Sequence, residues 1–115
     1  MTSNKVSVLN VQIDAVTMSQ AVETIEGFLK NSETPKLIAT ANAEMVMLAN
    51  EDKEFKKILD EATLVVPDGA GVVWAARHQG DNMPERVAGF DLVQELLKKS
   101  SQKQYKVFFL GAGRG

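Results

Sequence analysis

Residues 64–77 read LVVPDGAGVVWAAR, and this stretch decides the fold. Leu64 to Val66 is an uninterrupted apolar run of branched residues, the composition of a strand buried on both faces within a parallel sheet. Pro67, Asp68 and Gly69 end it abruptly, and Ala70 to His78 can form a helix starting at that turn. A short buried strand that breaks at a Pro-Asp-Gly turn into a helix is one half of a βαβ unit.

Moving towards the N-terminus, Ala43 to Ala62 predicts a helical segment with a weak point near Asn50. Its later half places Phe55, Ile58 and Leu59 on one side and charges on the other. Asn42 reads as the N-cap, with Glu44 in the first turn, where a carboxylate favours the helix dipole. Leu37 to Thr40 is a second short strand, preceded by the polar loop NSETPK. Before that loop, Thr17 and Gln20 make a capping-box pattern, TMSQ, so a helix is expected from Met18 to about Lys30. Its inward face is Met18, Val22, Ile25 and Leu29, with Phe28 beside it. Val6 to Ile13, VSVLNVQI, alternates as a half-buried strand and stops at Asp14.

Towards the C-terminus, Gly80 to Pro84 is a loop and Gly89 to Lys99 a helix with Phe90, Val93, Leu96 and Leu97 inward. Tyr105 to Leu110, YKVFFL, predicts a fourth strand that runs into Gly111, Ala112, Gly113, Arg114 and Gly115. Strands alternating with helices give an α/β class with a mainly parallel, Rossmann-like sheet. The expected organisation is a single domain over residues 1–115. A strand entering a glycine-rich turn normally leads into a helix, so the fold is expected to be incomplete at its C-terminus, the front portion of a longer domain.

Composition narrows the function classes. The chain has 115 residues, a formal net charge of −2, no cysteine and one histidine, His78. Lacking cysteine, it has no disulfide framework, zinc–thiolate site or cysteine nucleophile. The charge balance offers no basic field for nucleic acid. No signal-peptide core and no run of roughly 18 apolar residues is present, so a cytoplasmic location is expected.

In open α/β sheets ligands bind beyond the carboxyl ends of the strands. The segments following the predicted strands, TANAE, PDGAG and GAGRG, gather Thr40, Asn42, Asp68 and several glycine amides on one rim. Asp68 reads either as a general base at a strand tip or as a plain N-cap for the helix after it. Asn42 likewise caps a helix or, with Thr40, offers an amide and a hydroxyl to a sugar. Arg86, in PERVAG, reads as a fork for phosphate or as a surface partner of Glu85. His78 is expected to be exposed, and Trp74 and Phe90 to lie in the core. GAGRG also resembles the opening of the dinucleotide fingerprint GxGxxG, whose exposed amides suit a diphosphate.

Three blocks, TANAEMVMLAN, VPDGAGVVWAAR and PERVAGFDLVQELL, in this order and spacing, resemble the WecG/TagA/CpsF family of bacterial glycosyltransferases. The resemblance runs from about Val8 to the last residue. It implies inverting transfer of an N-acetylhexosamine from a UDP-sugar to a polyprenyl-diphosphate-linked sugar, with neither metal nor cofactor. For the teichoic acid type it implies UDP-N-acetylmannosamine as donor and undecaprenyl-diphosphate-linked N-acetylglucosamine as acceptor. By position in the shared blocks, Asp68 matches the family's base, and Thr40, Asn42 and Arg86 match its substrate-binding residues. Members of the family are longer than this chain. The resemblance therefore implies action at the inner face of the membrane, with peripheral membrane contact through a C-terminal part beyond these residues. Two other readings stand beside it: a non-catalytic nucleotide- or dinucleotide-binding α/β module, and a piece without activity of its own.

Overall fold

The computed structural model describes residues 4–31 and 34–111. In chain order these form β1 (Lys5–Val8), β2 (Val11–Asp14), α1 (Met18–Asn31), β3 (Ile38–Ala41), α2 (Ala43–Glu51) and α3 (Lys53–Glu61). Then follow β4 (Leu64–Pro67), α4 (Ala70–His78) and α5 (Gly89–Lys103). The α/β reading holds, and the strand–turn–helix at 64–78 falls where the sequence places it.

β3 and β4 pair in parallel, Ile38 opposite Leu64 through Ala41 opposite Pro67, with α2 and α3 as the crossover between them. Every residue of β4 is buried. Its side chains alternate between two apolar layers, as the pleat requires. Val65 joins Val46, Leu59, Val72 and Val73 with the β1–β2 residues on one face. Leu64 and Val66 join Val22, Ile25, Val87 and Leu92 on the other. The central strand is thus covered by helices on both sides, the condition that makes a parallel pair stable.

The first predicted strand is corrected. Val6 to Ile13 is a hairpin: β1 and β2 run antiparallel, Val6 opposite Ile13 and Val8 opposite Val11, around Leu9 and Asn10. Both turn residues have positive φ, 46° and 68°, the signature of a two-residue type I′ turn. The sequence contains the clue in a change of parity. Buried Val6 and Val8 are even-numbered, buried Val11 and Ile13 odd-numbered, and a two-residue turn produces that switch.

β2 lies against β4, and Asp14 fastens them. Its buried carboxylate accepts a hydrogen bond from the Val65 amide (2.8 Å) and an ion pair from Lys5 Nζ (3.0 Å). Asp14→Ala would strip a buried backbone amide of its acceptor. We expect a loss of about 1–3 kcal/mol in denaturant unfolding, with an unchanged midpoint counting against this role for Asp14.

Helix boundaries follow capping chemistry. The Thr17 hydroxyl accepts from Gln20 N (3.1 Å) while Gln20 Oε1 accepts from Thr17 N (2.9 Å), a closed capping box. The long central helix breaks at Asp52 and not at Asn50. Asp52 ends α2 and caps α3, its Oδ1 accepting from Glu54 N (3.0 Å) and Phe55 N (3.2 Å). Asn50 instead donates to the carbonyls of Leu9 and Val46, tying α2 to the hairpin turn.

α5 runs to Lys103 and ends at Gln104 in the left-handed region. Leu92 is its buried residue, whereas Phe90 and Val93 are exposed, contrary to the expected inward set. Leu92 and Leu96, four apart, form the stripe that packs against the α1 side of the core. Leu29 of α1 is likewise exposed. α1 and α5 are joined by Lys103 Nζ to Glu26 Oε2 at 2.6 Å. The hydrogen bond from Lys103 holds the Glu26 carboxyl below its ordinary range, and the same bond raises the Lys103 ammonium. A lowered acid contributes stability above its unfolded pKa and loses it as pH falls through the folded value. A raised base contributes below its unfolded pKa and loses it as pH rises through its folded value. Glu26→Gln is therefore expected to be less stable than the wild type at neutral pH. The difference should vanish in acid, and a pH-independent difference in thermal midpoint would contradict the linkage.

The predicted fourth strand is also corrected. Residues 105–110 pair with no strand among the described residues, and Val107 to Leu110 are exposed. Instead Tyr105 to Phe109 form one wall of an apolar groove whose other walls include Ile25 and Leu29 of α1 and Leu96 and Leu97 of α5. Local composition favoured a strand, but a strand needs a neighbour's backbone to pair with. Of GAGRG only Gly111 is described, and the rest of that motif lies outside the described residues.

Candidate functional site

The parallel pair places the ends of β3 and β4 side by side, with Ala41 opposite Pro67. The next residues, Asn42 and Asp68, therefore emerge together. The Asp68 amide donates to the Ala41 carbonyl at 3.0 Å, which extends the pairing by one step and fixes where the carboxylate begins. From this rim α2 starts at Ala43 and α4 at Ala70. A third helix reaches it as well. Val87 N donates to Pro67 O at 2.7 Å, so the segment ahead of α5 is pinned to the tip of β4, and Val87 itself is buried.

Asp68 is partly buried, and its Oδ2 accepts from the Gly89 amide, the first residue of α5, at 3.2 Å. It is not the cap of α4. The N-cap position of that helix is Gly69, at φ 109° and ψ 147°, and no side chain caps it. A backbone of that kind suits glycine alone. The carboxylate thus meets the positive end of a 15-residue helix that arrives from 21 positions away in sequence. Asp68 Oδ1 makes no hydrogen bond among the described residues.

Gly89 was not singled out in the sequence, and it is what allows the cluster to close. A Cβ there would stand 3.0 Å from Thr40 Cγ2, 3.2 Å from Asp68 Oδ2 and 3.3 Å from Thr40 Cβ. Thr40 and Asp68 therefore both crowd the space beside the Gly89 Cα. The signal in the sequence was faint: a glycine at the expected start of a helix, where no turn demands one.

Asn42 caps α2, its Oδ1 accepting from Met45 N at 2.9 Å. Its side-chain amine has no acceptor among the described residues and stands exposed on the rim, with its Cβ 3.9 Å from where a Gly69 Cβ would lie. The Thr40 hydroxyl is likewise unbonded among the described residues. Arg86 is brought to the rim by its backbone, next to the pinned Val87, but its side chain is exposed and forms no ion pair among the described residues. Glu85 is engaged elsewhere, accepting from Met18 N at 3.1 Å. Thr40, Asn42 and Asp68 are thus assembled, while the Arg86 side chain is left out of the cluster.

Chemically the rim offers an oriented carboxylate with one open oxygen, a hydroxyl, an amide donor, and the amide-rich starts of three helices. Such a set can take a proton from one group and bind oxygens of another. The chain matches the Glycosyl transferase WecG/TagA/CpsF family over residues 6–115. It belongs to this family. Within it, the chain is 38% identical over 109 residues to N-acetylglucosaminyldiphosphoundecaprenol N-acetyl-beta-D-mannosaminyltransferase from Staphylococcus aureus strain NCTC 8325. The same holds for the protein of that name from strains COL and MRSA252. The match covers 94% of this chain and 43% of each relative, so the chain spans less than half the length of these WecG/TagA/CpsF relatives. Among the described residues no helix is long and apolar enough to cross a membrane.

Proposed function

We propose that this WecG/TagA/CpsF chain carries the catalytic base of an inverting glycosyltransferase. In this reading the whole protein moves N-acetylmannosamine from UDP-N-acetylmannosamine to undecaprenyl-diphosphate-linked N-acetylglucosamine, in teichoic acid synthesis, without a metal. Membership of the family and the names of the relatives support the reaction. The observation that carries the assignment of the base is the Asp68 carboxylate, held through Oδ2 by Gly89 N at 3.2 Å with its other oxygen unbonded among the described residues.

The acceptor hydroxyl gives its proton to Asp68 Oδ1 as its oxygen attacks the anomeric carbon opposite the leaving group. The bond from that carbon to the diphosphate oxygen breaks, and the electron pair leaves with UDP. Gly89 N–H keeps Asp68 aimed during this step. The free amine of Asn42 and the hydroxyl of Thr40 meet hydroxyl or acetamido oxygens of a sugar. Arg86, free of an internal carboxylate, and the uncapped amides at the start of α4 are suited to the charge that develops on the departing diphosphate. A polyprenyl-linked acceptor calls for reaction at a membrane surface, for which this reading takes the inner face, with contact assigned to parts of the whole protein beyond these residues.

The test is transfer of radiolabelled N-acetylmannosamine from its UDP derivative to a lipid-diphosphate-linked N-acetylglucosamine by the whole protein. UDP-N-acetylglucosamine serves as the competing donor. Incorporation that depends on the mannosamine donor and persists in chelator is the expected result. Failure of every UDP-hexosamine to label the lipid would overturn the proposal.

A further inference from the structure

α4 leaves the rim at Ala70 and ends at His78, about 13 Å along its axis, so the chain must return before α5 can begin at Gly89. Residues 79–88 make that return without helix or strand. A segment of this kind holds its shape only through individual bonds to its surroundings. Here it is fastened at both ends. Asp81 N donates to Ala76 O (3.0 Å) near its start, and Val87 N to Pro67 O (2.7 Å) and Gly89 N to Asp68 Oδ2 (3.2 Å) near its end. Met83 is buried in the apolar layer of the hairpin, and Val87 in the opposite layer with Leu64 and Val66. The segment therefore passes from one face of the parallel pair to the other, with Arg86 between the two buried anchors.

Arg77 holds the middle of this return. Its Nε donates to Met83 O (3.0 Å) and its Nη2 to Pro84 O (3.1 Å), two consecutive carbonyls gripped by one planar fork. Arg77 stands on the flank of α4, between buried Val73 and the outer face. That outer face carries Trp74, which the sequence places in the core but which is exposed and stacked on His78, 4.7 Å between centroids. No carboxylate pairs with Arg77 among the described residues, so its donors serve neutral backbone. A surface arginine more often meets an acid or water. Pro84 stiffens the gripped stretch, since its ring fixes its own φ and biases Met83 to extended backbone. Directly after the clamp come Glu85, bound to Met18 N at the start of α1 (3.1 Å), and Arg86, whose side chain is left open.

We propose that Arg77 is a positioning residue for sugar transfer, gripping Met83 and Pro84 so that Arg86 is presented at the rim in a fixed orientation. Arg77 does not touch substrate. It acts through Arg86, two residues past the clamp. Its role rests on the glycosyltransferase reading, in which Arg86 meets the charge on the departing diphosphate. An arginine on a loose segment would lose part of that interaction to the entropy of ordering the segment during reaction.

A double-mutant cycle for sugar transfer by the whole protein tests this. Arg77→Gln is expected to lower kcat about tenfold, inside the roughly 10²-fold that a displacement of about 1 Å can cost. Arg77→Lys, which can reach one carbonyl, should recover part of the loss. In an Arg86→Gln background, Arg77→Gln should have almost no further effect. A purely structural arginine would lower both backgrounds alike, and equal falls overturn the proposal. Wild-type turnover in Arg86→Gln overturns it too, since nothing would remain to position. Thermal melts check folding, and if Arg77→Gln does not fold, Arg77→Lys carries the same cycle. Hydrogen exchange without substrate reads the clamp independently of activity. Amides at residues 85–89 should exchange faster in the Arg77 variant, and unchanged exchange overturns the clamp. Failure of the wild type to label any lipid sinks the glycosyltransferase reading, while exchange still decides whether Arg77 holds the segment.

Discussion

Asp68→Asn in the whole protein is expected to lower kcat for sugar transfer by about 10²–10⁴-fold, the usual contribution of a positioned general base. KM for the UDP-sugar should barely move. The amide oxygen of asparagine can still accept from Gly89 N, so the start of α5 stays in place and the surroundings of the site are preserved. What the substitution removes is the capacity of the second oxygen to take a proton. A fall in kcat with unchanged KM is the kinetic mark of an interaction made in the transition state alone. Matched falls in affinity and turnover would instead point to a binding role for Asp68. An unchanged kcat would remove it from the chemistry altogether.

Gly89→Ala is the second large effect, and it acts by geometry. The added methyl would sit 3.0 Å from Thr40 Cγ2 and 3.2 Å from Asp68 Oδ2, tighter than most real Cβ contacts, so a neighbour must give by a few tenths of an ångström. Neither neighbour yields cheaply. Thr40 is part of a paired strand, and Asp68 is anchored through its own amide to Ala41. The start of α5 must therefore back away from the rim, weakening the 3.2 Å hydrogen bond that aims the carboxylate. Overpacking of this kind costs about 1–3 kcal/mol. Displacement of a catalytic group by about 1 Å can cost about 10²-fold in rate. Chemical denaturation and steady-state transfer measured on the same variant check both. Alanine at wild-type stability and activity would show that the contact is not needed.

The parts of the fold set by local chemistry were legible in the sequence. The strand at Leu64, the helix at Ala70, the capping box at Thr17 and the cap at Asn42 each depend on neighbours within a few residues, and each stands where the sequence places it. Elements decided by distant partners were misread. YKVFFL has the composition of a strand but lies across α1 and α5. The sequence pattern points Phe90, Val93, Leu96 and Leu97 of α5 inward, whereas packing against α1 keeps Leu96, adds Leu92 and leaves Phe90 and Val93 exposed. The hairpin was hidden because Leu-Asn is not one of the glycine-bearing pairs that announce a type I′ turn.

The site divides along the same line. Asn42 and Asp68 follow strand ends directly and Thr40 is the penultimate residue of β3, so topology alone brings them together. Gly89 joins them through a contact 21 residues from Asp68, and no local pattern encodes that distance. Asp68 also showed the limit of reading caps from spacing. It precedes α4, yet it serves the amide of α5.

Three turns separated in sequence are expected to form one substrate site. This is tested most directly by hydrogen exchange, read by mass spectrometry, on the whole protein with and without a UDP-sugar and a lipid-diphosphate acceptor. Simultaneous added protection is expected at the start of α2, residues 42–46, the start of α4, residues 69–73, and the start of α5, residues 88–92. Protection absent from all three, with substrates demonstrably bound, would contradict it.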